Sequence, residues 1–171
     1  MRKIVLLSLV FVFFSAAVAR AEGEIVIFDK HKVAAESEAL KAAKGTLDGK
    51  FGVQKNELEK ERAELEKKAA EYQKKAPTEQ QVQEFMKRQE EFSEKAQAFM
   101  RLLQADESRV RQDIDMLINR AAKELAGRKG YLLILDSVVA AYFDPKLDVT
   151  SEMLSETNAQ WKKETGQPAA K

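Results

Sequence analysis

Few side chains in this 171-residue sequence have the chemistry that catalysis needs. There is one histidine, His31, and no cysteine. A nucleophilic triad would hang on that single imidazole, and a multi-histidine or thiolate metal site has no ligands to draw on. His31 therefore reads as a surface or helix-start residue. An enzyme would have to rely on a metal held by Asp136, Asp144 and Asp148. Asp144-Pro145 and Asp148-Val149-Thr150 are explained by turn and cap chemistry without a metal. A phosphate loop is approached only at Gly45-Thr46-Leu47-Asp48-Gly49-Lys50-Phe51. It is one residue short between the glycines, and Phe51 occupies the place of the magnesium-binding Ser or Thr. No catalytic residue, metal or cofactor is expected.

The remaining chemistry is adhesion. Phe85, Met86, Phe92, Phe99 and Met100 lie along one charged stretch, where they offer adaptable apolar surface. Between residues 67 and 88 the bases Lys67, Lys68, Lys74, Lys75, Lys87 and Arg88 outnumber Glu71, Glu79 and Glu84. That local excess suits acidic partners or the phosphates of anionic lipid and lipopolysaccharide, with strength that falls as salt rises.

Such residues need long helices to present them. From residue 54 to 129, 33 of 76 side chains are charged, 17 positive and 16 negative, with one proline, Pro77, and no glycine before Gly127. Exposed helices have this composition. Glu64 with Lys68, Glu71 with Lys75, Glu84 with Arg88 and Glu91 with Lys95 stand in the favourable acid-before-base i, i+4 order. Pro77 splits the region, and Thr78 with Gln81 forms a capping box for a second helix. The sequence thus predicts an antiparallel hairpin over residues 46–109 with its tip near 76–78. Phe51, Leu58, Leu65 and Tyr72 recur every seven residues on the first arm. On the second, Val82, Phe85, Gln89, Phe92, Ala96, Phe99, Leu103, Asp106 and Val110 alternate steps of three and four. A stripe this narrow joins two helices without making a core. The first arm, residues 46–75, would extend about 45 Å at 1.5 Å per residue.

The hairpin needs a body to hold it, expected over residues 22–45 and 110–163. Glu24 to Phe28 and Tyr131 to Asp136 read as short buried strands, and Val138 to Phe143 as a third. A helix is expected from about Lys30 to Lys44, then a joint at Gly45, Gly49 and Gly52. Richer apolar spacing at Ile114, Leu117, Ile118, Ala121 and Leu125 marks the returning helix entering the body, Gly130 ends it, and Thr150 caps a short last helix from Ser151. Residues 164–171 read as a disordered tail. Three short strands and a few helical turns are marginal alone, so the body is expected to self-associate, with Ile25, Ile27, Leu133 and Leu135 as its shared strand residues.

The first 21 residues stand outside this scheme. Arg2 and Lys3 precede an apolar run, Ile4 to Val18, and Ala19-Arg20-Ala21 is a small-x-small cleavage pattern. A run of about 15 residues is short for a membrane-spanning helix and suits a secretory signal peptide. Cleavage after Ala21 removes Arg2, Lys3 and Arg20 from 29 basic groups, leaving 26 against 28 acidic ones. A globally basic nucleic-acid binder is not expected of that charge.

Taken in order, these features resemble the Skp/OmpH family of periplasmic chaperones. The resemblance rests on Ile25-Val26-Ile27-Phe28-Asp29, on Gly130-Tyr131-Leu132-Leu133-Ile134-Leu135-Asp136, and on Ala141-Tyr142-Phe143-Asp144-Pro145 with Leu147-Asp148-Val149-Thr150. It implies an α+β fold in which a small β-rich body assembles a jellyfish-like homotrimer. Three helical-hairpin tentacles would then enclose a cavity. It also implies an ATP-independent holdase for unfolded outer-membrane β-barrel proteins in the periplasm. The slightly acidic mature chain departs from the strongly basic character of that family. A structural adaptor coiled coil and a binder of anionic membrane surfaces are the alternatives.

Overall fold

A computed structural model describes residues 23–166; the segment expected to be a signal peptide, residue 22 and the last five residues lie outside them. The elements run β1 (Ile25–Phe28), α1 (Lys30–Glu36), α2 (Glu38–Lys74), α3 (Glu79–Lys129), β2 (Leu133–Asp136) and α4 (Thr150–Thr165). Long helices and one small strand pair dominate. At 1.5 Å per residue, the 37 residues of α2 and 51 of α3 span about 55 and 76 Å.

The hairpin closes at Lys75 to Thr78. Thr78 accepts a hydrogen bond from the Gln81 N–H, and the Gln81 side chain accepts one from the Thr78 N–H at 2.9 Å, so the capping box forms. Gly130 ends α3 in the left-handed conformation, φ 77°, which costs glycine no side-chain clash.

Four expectations need correction. The first helix does not run unbroken to Lys44. Ser37 adopts an extended ψ of 143°, ends α1 and caps α2, its buried hydroxyl accepting the Leu40 N–H. The glycines then make no joint. Gly45, Gly49 and Gly52 lie inside α2, where a cost of about 1 kcal/mol each relative to alanine is too small to break a 37-residue helix. Val138 to Phe143 is not a strand: Ser137 to Val139 form a 3₁₀ turn, opened by Asp136 accepting the Val138 N–H. Finally, Thr150 does not cap α4 but is its first residue: the N-cap position is Val149, which makes no side-chain capping bond, and Asp148 just before it accepts the Thr150 N–H at 2.8 Å in a turn. That helix runs to Thr165, past the expected start of the tail.

β1 and β2 pair in parallel, Ile25 opposite Leu133 and Ile27 opposite Leu135. Val149 N–H donates to the Ile27 carbonyl at 2.8 Å and Asp29 N–H to the Thr150 hydroxyl at 2.9 Å, tying the start of α4 to β1. Gly23 lies so close to the lead into β2 that a Cβ would come within 2.8 Å of the Leu132 Cβ. The core sits below the hairpin. Val26, Phe28 and Val33 pack with Ile114, Leu117, Ile118, Ala121 and Leu125 of α3, while Val149 and Met153 close it from α4.

Candidate functional surfaces

Residues on one strand face alternate with those on the other. Val26, Phe28 and Ile134 face the core, which puts Ile25, Ile27, Leu133 and Leu135 on the opposite side. Ile25 and Leu133 are 47% and 45% exposed, whereas Ile27 is buried. The surface continues beyond those four. Leu132, Val138, Val139 and Tyr142 are also exposed, each by more than two thirds. Sequence reasoning took 138–143 for a buried strand and so missed it as surface; the clue was an apolar run without a partner strand. Binding surfaces are commonly found at exposed apolar patches of this kind.

Along the hairpin, the aromatic residues divide. Phe99 is buried against Phe51, ring centroids 5.7 Å apart and nearly perpendicular, and Phe85 meets Tyr72 at 5.6 Å in the same manner. These edge-to-face pairs, with buried Leu65, hold the arms together. Phe99, one of the five apolar candidates, is thereby committed to the seam. Met86 and Met100 face outward, 63% and 48% exposed. Half-buried Phe92 joins Met100 and Ala96 around a shallow hollow of about 410 Å³. Val53 and Leu102, which fall off the heptad stripe, add exposed apolar surface.

The charges also do other than sequence spacing suggested. None of the four anticipated pairs within a helix forms among the described residues. Instead Glu64 accepts from Arg88 at 3.0 Å and Glu61 from Lys95 at 3.1 Å, both across the seam. Lys50 bridges to Asp106, the acidic member of the heptad stripe. At the tip, Lys68 pairs with Glu71 and lies over the Tyr72 ring, and Lys87 pairs with Glu91. Lys67, Lys74 and Lys75 make no ion pair among the described residues, and neither do Glu79 and Glu84, so the tip's unpaired charge is three positive against two negative. His31 is exposed, and no cluster of metal-ligating side chains occurs among the described residues.

In the body, bidentate Arg120 holds the Glu164 carboxylate below its ordinary range, and Gln160 adds a further donor. The Glu156 carboxylate raises Arg128, and Glu152 raises Lys129. These pairs run along the contact of α3 with α4.

The geometry is thus a helical hairpin with outward-facing methionines and unpaired lysines near its tip, carried by a small body with an apolar strand surface. The chain is a member of the OmpH-like outer membrane protein family, whose model matches residues 24–156 and so spans body and hairpin alike. Its fold is similar to the crystal structure of a candidate outer membrane chaperone, OmpH-like, from Caulobacter crescentus. That chain is 18% identical and superposes with a TM-score of 0.64, covering 86% of this chain and 91% of that one. No curated protein matches by sequence alone.

Proposed function

We propose that this protein is an ATP-independent periplasmic holdase, exported by its N-terminal signal peptide. It keeps unfolded outer-membrane β-barrel proteins from aggregating before they insert. Family membership over both hairpin and body carries this reading. Three chains assemble through Ile25, Ile27, Leu133 and Leu135, extended by Leu132, Val138, Val139 and Tyr142, and their hairpins surround a cavity. The client meets Met86 and Met100 first, with Phe92 and Phe85 at the margin of the seam. Many weak apolar contacts suit a holdase, because they hide client surface without selecting one folded shape. No step calls for nucleotide, metal or catalysis.

Sedimentation velocity on residues 22–171 tests the reading, alone and after dilution of a urea-unfolded outer-membrane β-barrel protein into it. A mass near three subunits that shifts to a soluble one-client complex is expected. A trimer that leaves the client to aggregate sinks the holdase reading, and a monomer sinks the assembly.

A second reading has its own observation, the free charge of Lys67, Lys74 and Lys75. In it the tips attach to anionic lipid or lipopolysaccharide. Lys74→Glu with Lys75→Glu should then abolish flotation with anionic vesicles at low salt, while leaving client holding intact.

A further inference from the structure

With no cysteine in the sequence, the thioethers of its methionines are the only reduced sulfur it carries. Peroxides oxidise a thioether where they can reach the sulfur, so exposure decides which methionines react. Of the four among the described residues, Met86, Met116 and Met100 are 63%, 50% and 48% exposed, whereas Met153 is fully buried in the core. Met86 and Met100 stand two heptads apart on α3 and therefore on one side of it. Apart from Phe92 and Ala96, the hollow at Met100 is lined by Ser93, Gln97, Arg101 and Gln104. The apolar character of this outward side thus rests heavily on two oxidisable side chains. Met116 lies elsewhere, where α3 enters the body beside Trp161.

We propose that Met86 and Met100 form a modification site, at which a peroxide turns the client-facing side of the hairpin from apolar to polar. The sulfur lone pair attacks one peroxide oxygen; the S–O bond forms as the O–O bond breaks, and sulfur gives up two electrons to the peroxide. With hydrogen peroxide the products are the sulfoxide and water. A sulfoxide oxygen accepts hydrogen bonds from water, so covering it with an apolar client segment carries a desolvation cost that the thioether does not. The seam and core are spared, because both side chains face outward and Met153 is out of reach. The consequence for holding rests on the holdase reading; the pattern of oxidation does not.

The test treats the assembled mature chain with hydrogen peroxide, removes the peroxide with catalase, and only then adds a urea-unfolded outer-membrane β-barrel protein. Peptide mass spectrometry should show one oxygen atom added at each of Met86, Met100 and Met116, at least about tenfold faster than at Met153, which reacts only when the core opens. Client holding should fall by a few-fold to about tenfold, as two apolar contacts are lost, with helicity and subunit number unchanged. Methionine sulfoxide reductase should restore it. Met86→Leu with Met100→Leu removes both sulfurs and leaves Met116 in place; its own holding, whatever the starting level, should not change on treatment. Met116→Leu should respond as the natural chain does. Met153 reacting as fast as Met86 would overturn the selectivity. Undiminished holding by the oxidised natural chain, or an equal loss in the double leucine variant, would end the proposal. A chain that holds no client before treatment would sink the holdase reading and with it any effect of oxidation on holding, while the mass pattern still upholds or refutes the site.

Discussion

Residues 82–106 and 110–125 belong to one uninterrupted helix, yet they serve different kinds of structure. In the upper part only Phe99 is buried, and it faces a single neighbouring helix. The lower part buries Ile114, Leu117, Ile118, Ala121 and Leu125 against a strand, α1 and α4. Backbone geometry is the same in both; the width of the apolar stripe differs. Steps of strictly three and four give a line one residue wide, enough for a seam, whereas Leu117 beside Ile118 widens the face until several elements can cover it. A protein built this way concentrates its cohesion at one end and leaves surface at the other available for transient contacts.

The sharpest test of that contrast applies comparable truncations to the two regions. Ile118→Ala, at a fully buried position, should cost about 3–4 kcal/mol. Leu65→Ala in the seam should cost less than about 2 kcal/mol, because water reaches a two-helix contact and fills the space. Urea unfolding followed by circular dichroism reads both, and equal losses would erase the distinction.

Assembly comes next. Leu133→Asp places a carboxylate on a surface half-exposed in the single chain, so the monomer should keep its helicity while the oligomer dissociates, the charge being unaffordable only once the partner covers it. Full oligomeric mass in this variant would move the interface off the strand face. A smaller effect is expected on the hairpin. Met86→Ser with Met100→Ser should weaken client holding by a few-fold to about tenfold, as two apolar side chains among many are lost, with stability and subunit number unchanged. Client affinity equal to that of the natural protein would shift the binding face toward Val53 and Leu102.

The least effect belongs to the charged contact of α3 with α4. Glu164 is held below the ordinary carboxylate range by Arg120, so its contribution is present above that range and lost as the pH falls through the lowered value. Glu164→Gln should therefore cost under about 1 kcal/mol at neutral pH, as exposed pairs do, and the difference from the natural protein should vanish in strong acid. A gap that persisted there would mean that Glu164 acts through packing, not charge.

Much of this architecture was legible in the chain. Pro77 with Thr78 and Gln81 located the hairpin tip, and Gly130 located the end of α3, because each acts on backbone within a few residues of itself. The two heptad stripes identified the seam, and the widening at Ile114 to Leu125 identified the body. Local rules misled where local preference was weak or partners were distant. The three glycines looked like a joint, but a modest helix penalty yields to a long hydrogen-bonded run. Val138 to Phe143 has strand composition, yet a strand needs an edge to pair with, and β1 and β2 leave that segment on the surface.

The candidate surfaces divide the same way. Residue type and period placed Met86 and Met100 off the stripe and gathered the bases at the tip. Spacing along one helix paired Glu64 with Lys68 and Lys95 with Glu91, whereas the folded chain pairs Glu64 with Arg88 and Lys95 with Glu61. Long side chains reach whichever opposite charge is nearest, and only the packing of the second arm decides that. By itself, then, the sequence determined the hairpin tip, the end of α3 and the apolar lines of the two arms, all set by neighbours within a turn or two. The tertiary structure decided the parallel strand register, the break at Ser37, the exchange of ion partners and the exposed strand face, because each depends on residues up to 120 positions apart.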